Sequence, residues 1–564
     1  MSELPWIKSY PAGVRWDAEL PTMPVPQILA NAVERWPDQA VIDFMGRKIS
    51  YRELDQLSDR AAAGLQKLGV GLGVHVGLYL PNTPHYIVCF FGVLKAGGVV
   101  VNYSPLDAEK VLAHKVEDSE TDIIVTLDLQ AMLPQMERLL GTTRLRALVV
   151  GNVAEMTAAP QAVQQQMRSQ VVDFAADEKH VRFAELIAND GRYTRHAIGD
   201  PNSALAVLQY TGGTTGEPKG AMLTHGNLSS ACSQVWAIVD STPRVLEPGQ
   251  ERMLVVLPLF HIYALTGCML FGVLIGAELV LHLRFDLDAA LREISGKRIS
   301  VFPGVPTMYT AMLHHPDLAK FDLRSLKHCG SGGAPLPLEV QQQFQRVSGC
   351  QLNEGWGMTE TSPTGTFTPR HGIRKAGSCG LPVPGLTLKL VDVDDASREV
   401  PIGERGEICV SGPNVMAGYW KKPEATAAAM TADGFLRTGD VGIMDSDGFV
   451  FIVDRTKDMI LCGGYNVYPR NIEEAIYEHP AVAEVCVIGV PDTYRGQSPK
   501  AFVKLKDSAP PLTLDELKGF LATRLGKHEM VQHLELRAEL PKTPVGKLSK
   551  KELVEEEARR RAAG

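Results

Sequence analysis

Short apolar runs alternate with helix-like segments through much of the first 350 residues. Between residues 26 and 150 the predicted strands are 75–80, 99–103 and 123–126, and the predicted helices are 51–68 and 86–95. This alternation is typical of βαβ units, in which helices cover the faces of a largely parallel sheet. The same alternation resumes between residues 253 and 347. The sequence therefore predicts an α/β fold.

Two later stretches follow other patterns. From residue 380 to 453, short strands are separated by Gly/Pro/Asp turns, which predicts an antiparallel sheet or barrel. The last hundred residues read as a separate α+β module. A chain of 564 residues is too long for one core. We expect a first domain at 1–455 and a second at 456–564.

Composition limits the classes of function. A hydrophobic content of 45% and a charged content of 22% are typical of soluble globular proteins. The net charge of −8 argues against a nucleic-acid partner. Nine scattered cysteines without a CxxC pair, and no signal peptide, favour a cytoplasmic protein without structural zinc. The most apolar stretch, 267–283, contains Glu278 and glycines, so we expect a buried helix and strand there.

The stretch from Tyr210 to Gly220 is rich in glycine and hydroxyl groups. It lies after an apolar run and before a helix that opens at Thr224. Its glycines let backbone N–H groups converge on one point, and its threonine hydroxyls and its lysine add further hydrogen-bond donors. The candidate phosphate-binding residues are Thr211, Gly212, Gly213, Thr214, Thr215, Gly216 and Lys219. This predicts a polyphosphate cradle that differs from a Walker A loop. A flexible surface turn is the alternative.

Five further motifs follow this loop: Asn-Glu-Gly-Trp-Gly-Met-Thr-Glu at 353–360, Gly-Glu-Ile-Cys-Val-Ser-Gly-Pro at 406–413, Thr-Gly-Asp at 438–440, Asp-Arg-Thr-Lys-Asp at 454–458 and Pro-Lys-Thr-Pro-Val-Gly-Lys at 541–547. Together they resemble the adenylate-forming superfamily of acyl-CoA synthetases, luciferases and peptide-synthetase adenylation domains. The resemblance covers residues 26 to 555. Within that superfamily the chain is most similar to bacterial long-chain fatty-acid–CoA ligases, although coumarate-type ligases share many of these motifs.

The resemblance implies a large N-terminal domain of parallel αβ sheets with a β-barrel-like part, and a small mobile C-terminal domain. It also implies a reaction in which ATP activates a fatty acid as an acyl-adenylate, which then acylates coenzyme A. By this resemblance Lys547 would bridge the substrate carboxylate and the α-phosphate, and Lys457 would be the hinge of the mobile domain. Gly464 would leave room for the pantetheine arm of coenzyme A, and His261 would close over the acyl carboxylate.

The remaining implied roles concern the nucleotide. The loop from Thr211 to Lys219 would wrap the phosphates, Glu360 would bind Mg²⁺ and Thr359 would contact the α-phosphate. Asp440 and Arg455 would hold the ribose. Trp356 would stack on adenine, in place of the tyrosine more common there, so a phenolic hydrogen bond would be lost. The remaining nucleotide-site residues are Gly332, Gly333, Ala334, Pro335, Gly357 and Met358.

Several alternatives stay open. An aryl-CoA ligase or a luciferase-like oxygenase would use the same adenylation, whereas a non-catalytic relic would not need the intact motifs. Acyl transfer to a carrier protein is a fourth interpretation. Residues 4–11 either dock on the large domain or pack against a second subunit. The glutamine-rich insertion within 152–195 is expected to be a solvated helix, with peripheral contact to the inner membrane face as the alternative.

Overall fold

Two seven-stranded sheets form the core of the larger part of the protein. The structure, a computed structural model, describes residues 4–211, 218–240, 243–334, 336–455, 458–462, 465–507, 509–543 and 546–563. The first sheet contains, in spatial order, His180–Arg182, Ala147–Gly151, Thr121–Leu127, His75–Leu78, Val99–Asn102, Leu205–Thr211 and Lys219–Thr224. The second contains Leu352–Glu354, His328–Ser331, Val301–Gly304, Arg252–Val255, Glu278–Leu281, Ala40–Phe44 and Arg47–Ser50.

The two sheets share one pattern of strand direction. In each, neighbouring strands are parallel except for the last, which pairs antiparallel at one edge. Strands His75–Leu78 and Val99–Asn102 are buried at every position, as expected where helices cover both faces of a sheet. The α/β fold predicted from the alternating pattern is therefore confirmed.

Helices and helical turns connect these strands. In chain order they are Ile7–Ser9, Val25–Arg35, Tyr51–Lys67, Pro84–Lys95, Glu109–Asp118, Leu133–Thr142, Val153–Met156, Pro160–Met167, Arg168–Gln170, Phe183–Leu186, His225–Val239, Ile262–Ala264, Leu265–Leu270, Phe271–Leu274, Leu287–Lys297, Pro306–Leu313, Leu318–Lys320, Leu338–Ser348, Thr359–Thr361 and Pro423–Ala428. The predicted buried helix and strand at 267–283 are confirmed. No helix within the described parts of the chain combines the length and apolarity needed to cross a membrane.

The glycine-rich loop lies in a different setting from the one expected. It joins two antiparallel strands, with Thr211 paired opposite Lys219, so it closes a hairpin instead of linking a strand directly to a helix. The helix begins only after the second strand, where the Thr224 side chain accepts a hydrogen bond from the N–H of Asn227 at 3.0 Å. The short second strand was not recognised because its apolar run, 221–223, is only three residues long. Residues 212–217 lie outside the described residues.

The 152–195 insertion is only partly the surface feature expected. Its helix Pro160–Met167 is mostly exposed, in agreement with the predicted solvated helix. However, His180–Arg182 pairs with Ala147–Gly151 and forms one edge of the first sheet. Phe183, next along the chain, is buried. The insertion is thus partly integral to the fold, through a strand of three residues that leaves little periodic signal.

An antiparallel sheet follows the two parallel ones. Its strands are Thr387–Val391, Arg405–Ser411, Leu436–Met444 and Val450–Arg455, and Thr366–Phe367 pairs separately with Leu381–Pro382. Of the two alternatives left open for this stretch, the described strands form a sheet of four. Asp440 stands directly opposite Arg455 in its register.

The C-terminal module has a sheet and a core of its own. Its strands are Ile460–Cys462, Tyr465–Val467, Val482–Asp492, Gly496–Leu505 and His533–Leu536, and its helices are Pro469–Tyr477, Leu514–Leu521 and Lys550–Ala563. Ile472, Val485 and Leu517 are among its buried core residues. The predicted α+β character is confirmed, and the boundary at residues 455/456 stays a prediction.

The opening residues dock on the chain's own large part. Trp6 is 1% exposed and packs on Gly448, whose φ of +83° and lack of a side chain leave room for it. The Tyr10 hydroxyl donates to the carbonyl oxygen of Pro382 at 2.5 Å. Of the two expectations for residues 4–11, the structure supports docking on the large domain.

Replacing Trp6 by alanine should destabilise the protein. Removing a fully buried tryptophan leaves a cavity and costs about 3–5 kcal/mol, so the thermal midpoint of Trp6→Ala should fall clearly. Ile7→Ala, at a side chain that is 44% exposed, is the matched control and should change little. Equal midpoints for the two variants would contradict the docking seen in the structure.

Candidate active site

One large cleft collects the predicted site residues. Its volume is about 2570 Å³. Every predicted residue that the structure describes lines it: Thr211, Lys219, His261, Gly332, Gly333, Ala334, Trp356, Gly357, Met358, Thr359, Glu360, Asp440, Arg455 and Lys547. The others lie outside the described residues: Gly212, Gly213, Thr214, Thr215, Gly216, Pro335, Lys457 and Gly464.

Strand direction explains why these residues meet. Thr211 ends a strand of the first sheet, and Gly332 follows a strand of the second. The segment beginning at Gly355 follows the neighbouring strand of the second sheet. In parallel α/β sheets the carboxyl ends of the strands share one edge, where ligands usually bind. The fold therefore gathers motifs that are far apart in the sequence.

Asp440 is held from two sides. Its Oδ2 accepts a hydrogen bond from the indole Nε1 of Trp356 at 2.7 Å, and its Oδ1 accepts one from Nε of Arg455 at 3.1 Å. The carboxylate is only 5% exposed. Charge-assisted hydrogen bonds of this kind are about twice as strong as neutral ones. The tryptophan therefore supplies a donor of its own, which sequence reasoning did not foresee.

A second ion pair supports the strand Leu436–Met444, which carries Asp440. Arg437 donates to Oε2 of the buried Glu407 through both Nε and Nη2, at 3.0 and 2.6 Å. The other oxygen of Glu407 accepts the N–H of Gly439 at 3.1 Å. Glu407 and Arg437 were not among the predicted site residues, although Glu407 falls within one of the quoted motifs.

Glu360 is a buried carboxylate on the wall of the cleft. It is 6% exposed, and burial raises the pKa of its carboxyl above the usual range. The hydroxyl of Tyr419 donates to its Oε1 at 2.8 Å and opposes that rise. The aromatic ring of Tyr419 lies 5.1 Å from Nζ of Lys219. Tyr419 was also missed by sequence reasoning, because it lies outside every motif used there.

Lys547 reaches the cleft from the C-terminal module. A Cβ atom placed on Gly333 would overlap Cε of Lys547, so a larger residue there would displace the lysine side chain. The hydroxyl of Thr307 donates to the carbonyl oxygen of Gly546 at 3.1 Å and links the lysine loop to the large domain. Burial and the charge of Arg455 lower the pKa of Lys547 to about 8.

His261 lies at the start of the helical segment after the second sheet's central strand. Its Nδ1 accepts a hydrogen bond from the N–H of Tyr263 at 3.2 Å. Burial and the nearby charge of Lys547 lower the pKa of His261 to about 3, so the ring is neutral at physiological pH. A neutral imidazole with Nδ1 as acceptor carries its proton on Nε2.

Apolar side chains line a neighbouring part of the cleft. They include Val235, Ile238, Val239, Phe260, Ile262 and Phe271. The ring of Tyr263 packs against Gly267 and Gly332, where added Cβ atoms would lie 3.3 and 3.1 Å from it. Leu265–Leu270 adopts the π-helical form, which often marks functional sites. This helical segment and the small residues near Gly330 therefore form an apolar chamber in this part of the cleft.

Comparison with known proteins agrees with this arrangement. The family model for AMP-binding enzymes matches residues 29–420, and that for their C-terminal domain matches residues 471–547. A long-chain-fatty-acid–CoA ligase of Bacillus subtilis (strain 168) is 39% identical over 99% of this chain and 98% of its own. A feruloyl-CoA synthase of Amycolatopsis sp. is 35% identical over 92% of this chain and 96% of its own.

Solved structures are similar over nearly the whole chain. An anthranilate CoA ligase in complex with anthranoyl-AMP aligns with a TM-score of 0.84 at 26% identity, covering 97% of this chain and 99% of its own. ATP-bound MatB from Rhodopseudomonas palustris aligns with a TM-score of 0.79 at 27% identity, covering 95% and 99%. The matched domains, the full-length relatives and the cleft all lead to one conclusion: the chain belongs to the family of AMP-binding enzymes.

Proposed function

We propose that this protein is an ATP-dependent fatty-acid–CoA ligase that works through an acyl-adenylate. The observation that carries the proposal is the cleft itself, in which a lysine from the C-terminal module meets a buried carboxylate, an Asp–Arg pair and an apolar chamber. The full-length similarity to long-chain fatty-acid–CoA ligases supports a fatty acid as the substrate.

The chemistry needs two steps. First, a carboxylate oxygen of the fatty acid attacks the α-phosphorus of ATP, and pyrophosphate leaves. Then the sulfur of coenzyme A attacks the acyl carbonyl carbon, and AMP leaves while the thiol loses its proton. The protein must therefore hold the nucleoside, neutralise phosphate charge and bring the carboxylate in line.

Asp440, Arg455 and Trp356 are suited to the nucleoside. The fixed carboxylate of Asp440 can accept hydrogen bonds from ribose hydroxyls, and the indole of Trp356 offers a flat face for adenine. The Trp356–Asp440 hydrogen bond keeps both groups in place before ATP arrives. Such preorganisation lowers the entropy cost of binding.

Mg²⁺ is the metal that Glu360 would hold together with the phosphates of ATP. Among the described residues there is no group of three or more His, Cys, Asp or Glu side chains able to hold a metal by itself. A single buried carboxylate fits Mg²⁺, which protein sites usually bind through one or two carboxylates and the substrate phosphates. When bound, Mg²⁺ neutralises phosphate charge, and Lys219 and Thr359 would add contacts to the phosphates.

Lys547 is suited to bridge the fatty-acid carboxylate and the α-phosphate in the first step. For the second step the C-terminal module would turn about Lys457, so that coenzyme A could enter past Gly464. The roles of Lys547, Lys457 and Gly464 stay predictions, and the last two residues lie outside the described residues. The neutral His261 would donate from Nε2 to the acyl carboxylate and close that end of the chamber.

Two finer expectations also stay predictions. Peripheral contact with the inner membrane face would help an enzyme whose substrate partitions into lipid, and vesicle flotation measures it. A homodimer is tested by sedimentation velocity.

The function is tested by thioester formation from ATP, coenzyme A and straight-chain acids of increasing length, alongside ferulate, coumarate and benzoate. Release of acyl-AMP is followed in the same reactions. Strong thioester formation with long alkyl acids is the expected result. A preference for aryl acids would support the two-step chemistry but contradict a fatty acid as the substrate. Formation of acyl-AMP without thioester would contradict coenzyme A as the acyl acceptor.

Lys547→Ala should lower the rate of acyl-adenylate formation by about 10²-fold or more, because a preorganised charge contact is lost. Thioester formation from supplied acyl-adenylate should be spared. Pyrophosphate release measures the first step. Lys527→Ala, on the exposed surface away from the cleft, is the control. An unchanged adenylation rate would contradict the role of Lys547.

The pH dependence follows from the lowered pKa of Lys547. Its ammonium form is present below about pH 8 and is lost as the pH rises through that value. The kcat/KM of adenylation, which reports groups of the free enzyme, should therefore fall above about pH 8. Lys547→Arg stays charged and should lack this alkaline limb, even if its overall rate is lower. The same limb in both proteins would assign it to another group.

Trp356→Phe keeps an aromatic face but removes the donor to Asp440. Losing a hydrogen bond to a charged group should weaken ATP binding by about tenfold, as measured by calorimetry. Trp236→Phe, at a partly buried tryptophan outside the cleft lining, is the control. An unchanged affinity would show that the indole N–H is dispensable.

A further inference from the structure

The segment 415–422 is hydrogen-bonded to the hairpin of strands Leu205–Thr211 and Lys219–Thr224, which the glycine-rich loop connects. The N–H of Met222 donates to the carbonyl oxygen of Gly418 at 2.9 Å, and the N–H of Trp420 donates to that of Gly220 at 2.8 Å. The segment therefore runs beside the second hairpin strand as a short additional pairing. Its position is fixed relative to the strand Lys219–Thr224 by main-chain hydrogen bonds.

The same segment is also attached to Glu360. The N–H of Met416 donates to the carbonyl oxygen of Glu360 at 2.8 Å. Tyr419 then adds a side-chain contact, because its hydroxyl donates to Oε1 of Glu360 at 2.8 Å. Its ring lies 5.1 Å from Nζ of Lys219, within the range of a cation–π contact. One side chain thus contacts both a carboxylate and an ammonium group of the cleft.

This contact matters because Glu360 is almost fully buried. A desolvated carboxylate is costly unless hydrogen bonds satisfy it. A glutamate has three side-chain torsions, and a fixed donor at one oxygen restricts its rotamers. Tyr419 is itself restrained by the main-chain bonds of its segment, so its hydroxyl is a fixed donor. The carboxylate is therefore oriented before any ligand binds.

We infer that Tyr419 is a positioning residue that couples the glycine-rich hairpin to the carboxylate proposed for Mg²⁺. Its hydroxyl orients Glu360, and its ring supports the ammonium group of Lys219. The inference rests on the proposed function, since both groups act on the phosphates of ATP. Tyr419 lies outside the sequence motifs, and loss of its hydroxyl should weaken specifically the magnesium-dependent part of ATP binding.

The test measures binding without turnover. Calorimetry gives the affinity of the intact protein for ATP with and without MgCl₂, in the absence of fatty acid and coenzyme A. Tyr419→Phe keeps the ring and removes only the hydroxyl. It should reduce the gain in affinity that MgCl₂ confers by about tenfold, as expected for a lost hydrogen bond to a charged group. Tyr494→Phe, at a side chain 93% exposed, is the matched control and should behave as the wild type.

A double variant separates positioning from a general structural role. Glu360→Gln should remove most of the magnesium-dependent gain, and adding Tyr419→Phe to it should cause no further loss. An unchanged gain in Tyr419→Phe, or additive losses in the double variant, would overturn the inference. A large fall in the thermal midpoint of unliganded Tyr419→Phe would also overturn it, because it would indicate a structural role.

Failure of the proposed function would look different. Wild-type protein that does not bind ATP at all would overturn the proposed function, and the inference with it. Wild-type protein with a magnesium-dependent affinity that Tyr419→Phe retains would overturn the inference alone.

Discussion

The ion pair between Asp440 and Arg455 is the point on which the cleft depends. The two residues face each other across an antiparallel strand pair, so the register of that pair sets their contact. Trp356 then donates to the same carboxylate from the end of the second parallel sheet. One buried charge is therefore satisfied by two separate parts of the fold, and leaving it unpaired would be costly.

The same pair affects the lysine that arrives from the C-terminal module. Burial disfavours the charged form of Lys547 most, the charge of Arg455 disfavours it further, and the charge of Asp440 favours it. The net effect lowers the pKa of Lys547 to about 8. A buried ammonium beside an arginine is poised for a negative ligand, since phosphate and carboxylate charge would stabilise both cations. This is how a chain of net charge −8 can still bind an anionic substrate.

The three sheets of the large part and the C-terminal module each supply different residues of the cleft. The parallel sheets bring their strand ends to one edge and so deliver the glycine-rich hairpin, Gly332 and the segment around Glu360. The antiparallel sheet supplies Asp440 and Arg455, braced by Glu407 and its partner Arg437. The C-terminal module supplies Lys547, linked to the large part through the Thr307–Gly546 hydrogen bond.

Sequence alone determined the alternating α/β pattern, the separate character of the last hundred residues and the motifs that carry chemistry. These features are local, because they depend on periodicity, glycine spacing and the order of short motifs. Every candidate that these features named and that the structure describes lines the cleft, although other lining residues such as Tyr419 and Glu407 were not named. These features could not give the hairpin at Thr211, whose second strand has an apolar run of only three residues, nor the edge strand His180–Arg182.

Tertiary structure decided which side chains hold those candidates in place. The hydrogen bond from Tyr419 to Glu360 joins residues 59 positions apart, and that from Trp356 to Asp440 joins residues 84 apart. Contacts at such separations depend on how the sheets pack and on which rotamers fit. No local pattern encodes that geometry, so sequence determined the chemistry available and the packing determined how it is arranged.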